Sequence, residues 1–177
     1  YKDSYLRALA EYHAAGRHLS LDIPTIAANF AAHIQQFSNW ADETKLTPGE
    51  VPETMYWLIA DGEVIGQVSV RHRASDEVLQ WRGYVGGEIV PSRRGQGYGR
   101  ELLRLALVEA RGFGLARVVI TCNADNSASR RIIESLGGVL ENEVEREGST
   151  RLRYWIEMRL SLLPNLSRWK RLFAAFA

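Results

Sequence analysis

The sequence predicts a single α/β domain whose central sheet is mixed and mostly antiparallel, with helices on its flanks. Two observations carry this. Two apolar runs with strand-like patterning, TMYWLIA and EVIGQVSVRHR, flank Asp61-Gly62, a dipeptide that favours the tight turn joining antiparallel neighbours. Further along, strand and helix patterns alternate: RGYVGGEIV, then a long helical repeat, then ARVVITC, then NSASRRIIESLGG. A chain of 177 residues can bury one core without outside help, so one domain is the simplest organisation.

The elements follow in order. Leu6, Leu9 and Ala10 recur at helical spacing, and Pro24 suits the start of a second helix running through Phe37. The stretch NWADETKLTPGEVPE is punctuated by Pro48, Gly49 and Pro52 and reads as a loop. After the hairpin, RGYVGGEIV is a third strand in which Gly86-Gly87 predicts a bulge or a close backbone approach. Leu102, Leu103, Ala106, Leu107 and Ala110 share one helix face, and that helix should stop near Gly112 or Gly114. ARVVITC has the continuous apolar character of a fully buried strand. A helix from about Ser127 closes at Gly137, and VLENEVERE with RLRYWIEMRLSL forms a final hairpin. In PNLSRWKRLFAAFA, the residues Leu166, Trp169, Leu172, Phe173 and Phe176 make an apolar stripe, expected to dock on the domain or on a second subunit as a homodimer contact.

Composition removes several classes. A formal net charge of +1 gives no general affinity for nucleic acid. The charge is nevertheless uneven. Residues 1–53 hold seven acidic and four basic side chains, net −3, and residues 91–120 hold six arginines against Glu101 and Glu109, net +4. A single cysteine, Cys122, permits no internal disulfide and fits a reducing cytoplasm. The four histidines show no metal-ligand spacing, so no metal is expected. No apolar run reaches membrane-spanning length, so no stable membrane insertion is expected, and the charged opening YKDSYLRALAEYHAAGR does not resemble a signal peptide.

The chemistry concentrates in IVPSRRGQGYGRELLRLAL. An apolar strand collapses into a turn with Gly95, Gly97 and Gly99, and the turn opens directly into a helix. A helix N-terminus presents unpaired N–H groups and partial positive charge, and glycine lets an anion approach them without meeting a Cβ. The turn lacks the Gly-Lys-Ser/Thr of a Walker loop. Its G-x-G-x-G spacing after antiparallel strands is also not the Rossmann fingerprint.

From Glu88 to Gly138 the chain resembles the GNAT superfamily of N-acetyltransferases, in a bacterial branch. The family's acetyl-CoA loop Q/R-x-x-G-x-G/A is matched by Arg94, Gly97 and Gly99, preceded by Val90-Pro91. Its later N-x-x-A/S is matched by Asn126 and Ser129, and its glycine after the next helix by Gly137. The resemblance implies a GNAT-like domain over residues 1–163, with a helical substrate-cleft region at 1–45 and an acetyl-CoA core at 86–138. The amphipathic C-terminal helix over 164–177 follows it. It further implies that coenzyme A is held by the turn residues Arg94, Gly95, Gln96, Gly97, Tyr98, Gly99 and Arg100. Ile89 and Val90 would pair with the pantetheine arm, and Asn126 and Ser129 would add contacts. Arg130 or Arg131 could reach the adenosine phosphate or could equally be a solvated helix face.

Acetyl transfer to an amine needs a proton acceptor, and Glu88 stands on the strand where the family commonly places a carboxylate. Desolvation there would raise its pKa towards a useful range. His72 is the second candidate base. The tyrosine that many members use as acid is replaced by Ile133, which leaves Tyr84, Ser129 or water to protonate the thiolate. Cys122 reads as a core residue, and Trp81 as a candidate substrate contact. The expected acceptor is a small-molecule amine or a protein amino group, and the acidic N-terminal third would suit a cationic one. A non-catalytic acyl-CoA-binding regulatory module is the alternative.

Overall fold

The computed structural model describes residues 1–158 and 173–175 of the chain. Its strands form two antiparallel sheets. The first runs in the order β3 (Val85–Ile89), β2 (Glu63–Arg71), β1 (Glu53–Ala60), β7 (Phe173–Ala175). The second runs β4 (Arg117–Asn123), β6 (Ser149–Glu157), β5 (Val139–Arg146). Where a continuous mixed sheet would join them, Tyr84 N–H donates to Val119 O at 2.8 Å. Beyond that link no ladder pairs β3 with β4 among the described residues, so β3 keeps an open edge.

The hairpin turns as its sequence requires. Asp61 and Gly62 both take positive φ, 52° and 78°, the condition for a two-residue turn whose twist matches its strands. Gly86 and Gly87 differ from expectation, because no bulge forms there. They pair in unbroken register with Ser69 and Val68, and the irregularity lies in the β1–β2 pairing, where Leu58 and Ile59 face Gly66 and Val64 and Ile65 of β2 is the extra residue. Close approach explains Gly87 instead: a Cβ there would stand 2.8 Å from Gln67 O and 2.9 Å from the Val68 Cβ.

Among the described residues five α-helices cover the sheets. They are α1 (Lys2–Ala14), α2 (Ile23–Ala28), α3 (Phe30–Ala41), α4 (Tyr98–Gly112) and α5 (Ser127–Ser135). The single helix expected from Pro24 through Phe37 is broken at Asn29. That residue takes φ −122°, ψ 43°, and its side-chain amide donates to Thr25 O, the local competition with helix bonding typical of asparagine. The apolar face of α4, with Ile133 of α5, packs on Val70, Val85, Val118, Ile120 and Tyr154 of both sheets. A second core forms on the opposite face of β1 and β2, where Tyr5, Leu9, Tyr12 and Phe37 meet Trp57, Ile59 and Val64. Tyr5 stacks on Trp57 with ring centroids 4.5 Å apart.

Two contacts fix α1 on the domain. Buried Ser4 accepts from Val64 N–H at 2.7 Å and donates to Glu63 at 2.9 Å. At the other end Glu11 accepts from the Ser92 amide and hydroxyl, both at 2.9 Å. Ser4→Ala strands the Val64 amide, and we expect a loss of about 1–3 kcal/mol in urea unfolding with an unchanged m-value.

Residues 164–172, 176 and 177 of the expected C-terminal helix lie outside the described residues. Phe173–Ala175 is a strand paired antiparallel with β1, so helix does not extend through these three positions. Among the described residues no helix is long and apolar enough to cross a membrane, and no group of three or more His, Cys, Asp or Glu could hold a metal ion.

Candidate active site

The glycine turn presents an exposed helix N-terminus. Gly97 is the N-cap of α4 with φ 85°, and no side chain caps the helix. A Cβ added at Gly95 or Gly97 would have no atom within 4 Å, but both residues have positive φ, 76° and 85°. Glycine therefore sets the backbone and leaves the surrounding volume free. Gly99 differs, since its Cβ would meet Ile132 of α5 at 2.9 Å. The first amides of α4 thus face open space beside Arg94 and Arg100, an arrangement suited to an anion. Arg100 is held by Ser135 at 3.2 Å, and Gln96 donates to Ser92 O at 3.3 Å. Tyr98 packs its ring on the main core.

The turn continues the open edge of β3. Val90 N–H donates to Ile65 O, and the alternation of an antiparallel ladder then turns the main-chain groups of Gly87 and Ile89 away from β2. Ile89 O is on that free side, where it accepts from Arg94 Nε at 3.1 Å. The main chain open to a ligand is therefore that of Ile89, because the Val90 amide is already engaged.

Glu88 precedes Ile89 and is the centre of a polar cluster drawn from three parts of the chain. Its carboxylate is hydrogen-bonded by His18 Nε2, accepts from Gln67 Nε2 at 3.3 Å, and faces Arg17 Nε at 3.5 Å. Its side chain is 15% exposed. Burial pushes the carboxyl up, as expected from the sequence. The His18 hydrogen bond, the charges of His18 and Arg17, and the Gln67 hydrogen bond together outweigh it, and the net pKa lies below the ordinary value. This corrects the expectation of a raised pKa. The N-terminal third contributes Arg17 and His18 to the surroundings of this carboxylate.

Other sequence candidates are placed elsewhere. His72 stacks on Phe113 with centroids 3.9 Å apart and bonds Thr54 at 2.8 Å, which ties the end of α4 to the sheet. Burial lowers its pKa. Tyr84 and Cys122 are buried, and burial raises the pKa of both, so phenol and thiol stay protonated. Ile133 is a core residue, 2% exposed. Asn126 Oδ1 accepts from Ser129 N–H at 3.0 Å, the N-cap of α5. Arg130 pairs with Glu134 along the helix. Trp81 sits in a single π-helical turn, Val78–Arg82, with the guanidinium groups of Arg146 and Arg151 over its ring. Arg17 and His18 carry no signal in the sequence, because nothing in AAGRHLSLD marks it as more than a helix-to-helix loop.

The sequence model of the acetyltransferase (GNAT) domain family matches residues 5–139. The chain belongs to the GNAT acetyltransferase family. Solved GNAT-type structures share the fold at low identity. Mycobacterium smegmatis RimJ in complex with CoA-disulfide superposes with TM-score 0.64 at 18% identity, over 97% of this chain and 85% of that one. RimL, the ribosomal L7/L12 alpha-N-protein acetyltransferase in complex with coenzyme A, gives 0.61 at 20% identity over 88% of each chain. An N-acetyltransferase from Staphylococcus aureus Mu50 gives 0.59 at 18% identity, covering 90% and 95%. No curated protein matches the sequence. The matched family segment spans α1 through the start of β5, so it contains the glycine turn, the open β3 edge and the Glu88 cluster of this acetyltransferase domain.

Proposed function

We propose that this protein moves an acetyl group from acetyl-CoA to a primary amine of a small molecule or a protein, by direct attack in a ternary complex. One observation carries the reading: an uncapped helix N-terminus with bare glycines runs straight into an open strand edge beside a largely buried carboxylate. The amides at the start of α4, with Arg94 and Arg100, would hold the pyrophosphate. The Ile89 main chain would take the pantetheine arm as an added strand, with Arg94 Nε leaving Ile89 O as it does so. The exposed Asn126 side-chain amide and the Ser129 hydroxyl would add contacts to the bound coenzyme, while Asn126 Oδ1 is committed to its cap. The thioester supplies the acyl group. This chain's residues would orient it and remove a proton from the substrate ammonium before the free amine attacks, a step for which Glu88 and its partners are the polar groups in place.

Calorimetry with coenzyme A, followed by thiol release from acetyl-CoA with a panel of free amines and peptides bearing a free N-terminus, tests this. We expect one site per chain and thiol release with at least one amine class. No coenzyme A binding overturns the proposal, and binding without release across the panel replaces it with an acyl-CoA-binding regulatory module.

A further inference from the structure

Resting on that reading, we infer that the base is His18, and that Glu88 acts through it. A base must have a free lone pair, and Glu88 offers little. One oxygen carries the hydrogen bonds of His18 and Gln67, and the other faces Arg17. A carboxylate can only accept, so the proton of this pair sits on His18 Nε2. That assignment leaves Nδ1 of the neutral ring with an open lone pair. Among the described residues none hydrogen-bonds Nδ1, and the side chain is 29% exposed. Gln67 then gives its amide protons to Glu88 Oε1, since Nε2 of His18, 3.2 Å away, is also a donor.

The loop is built to hold this ring. His18 takes φ 55°, a left-handed conformation that few non-glycine residues adopt, and its carbonyl is bonded by His13 Nε2 at 2.9 Å. Tyr12 packs edge-on to the ring with centroids 5.3 Å apart. Backbone strain of this kind persists only where the surroundings impose it. The groups facing the ring are Glu88 from β3, Gln67 from β2 and Tyr12 from α1, while Arg17 reaches Glu88 and His13 the His18 carbonyl. Glu88 is the one carboxylate among them.

The proton balance is complete. Nδ1 of His18 takes a proton from the substrate ammonium, and the imidazolium that forms lies against the Glu88 carboxylate, which stabilises it and fixes the tautomer. The ring passes that proton to solvent at its exposed side. The freed amine attacks the thioester carbon, the new C–N bond replaces the C–S bond, and the proton shed by the nitrogen reaches the departing sulfur through water. Glu88 remains a carboxylate throughout, facing Arg17 and accepting the hydrogen bonds of His18 and Gln67.

His18→Gln should lower kcat by roughly 10²–10⁴-fold with the acetyl-CoA KM unchanged, and should turn the plateau of the pH–rate profile into a continuous rise as free amine accumulates. His18→Asn is the second variant, since asparagine tolerates positive φ. His18→Gln combined with Glu88→Gln should be no slower than the slower single variant, because the two residues act as one unit. Nitrogen-15 NMR of the substrate-free ring should show the Nε2–H tautomer, kept in Glu88→Gln, whose amide oxygen still accepts, and lost in Glu88→Ala. An active wild type with undiminished His18 variants, multiplied losses in the double variant, or an Nδ1–H tautomer overturns the assignment alone. A wild type silent across the amine panel overturns the transfer reading itself.

Discussion

Replacing Gly97 with valine should abolish measurable coenzyme A binding. Among the described residues nothing beyond its chain neighbours lies within 4 Å of a Cβ at this position, so the first carbon of the valine side chain meets no packed atom. It would project from the N-cap of α4 into the space beside the first amides of the helix. A phosphate oxygen held there needs those amides at hydrogen-bond distance, and a branched side chain keeps it away. Losing two charge-assisted bonds of about 1.5–3 kcal/mol each weakens binding at least a hundredfold. The substitution also strains the backbone, because φ is 85° and a β-branched residue resists that conformation. We therefore expect a destabilisation of about 1–3 kcal/mol alongside the lost affinity. Gly97→Asn separates the effects, since asparagine accepts the backbone but still intrudes on the phosphate: it should keep the melting temperature and lose affinity. Calorimetric affinity at wild-type level in the valine variant would remove the turn from the coenzyme A site.

The parts of this prediction legible in the sequence are those encoded locally. Gly95, Gly97 and the helical repeat after them lie within one short stretch, so a turn opening into an uncapped helix can be read there directly. The Asp61-Gly62 hairpin is equally local. What could not be read is assembled over distance. His18 and Glu88 are separated by 70 positions, and only the packing of α1 on β2, pinned by Ser4 and Glu11, brings the loop across β3. The sign of the Glu88 pKa shift failed for the same reason. Desolvation is implied by an apolar strand, whereas the opposing hydrogen bonds come from residues remote in sequence. Gly86-Gly87 shows a different limit. Two glycines in a strand signal either a bulge or close approach, and only the partner strand decides between them.

Glu88→Gln should reduce the rate of acetyl transfer by roughly 10²–10⁴-fold, the usual contribution of the proton-transfer apparatus in a positioned site. Glutamine keeps the shape and one acceptor oxygen, but it no longer opposes charge on His18 or Arg17. Coenzyme A affinity should survive, because Glu88 reaches towards α1 while the glycine turn lies beyond Ile89 and Val90. The rate deficit should shrink at alkaline pH, where more of the amine is already deprotonated. Stability follows a separate pH course. The carboxyl pKa is lower in the folded state than its ordinary value of 4.5, so its contribution is fully present above that value and fades as pH falls through the lowered folded pKa. The variant should accordingly melt below wild type at pH 7, with the difference closing under acid. A rate deficit that stays constant across the alkaline range would assign Glu88 to holding the loop in place. A pH–rate profile near that of the wild type would remove it from proton transfer altogether.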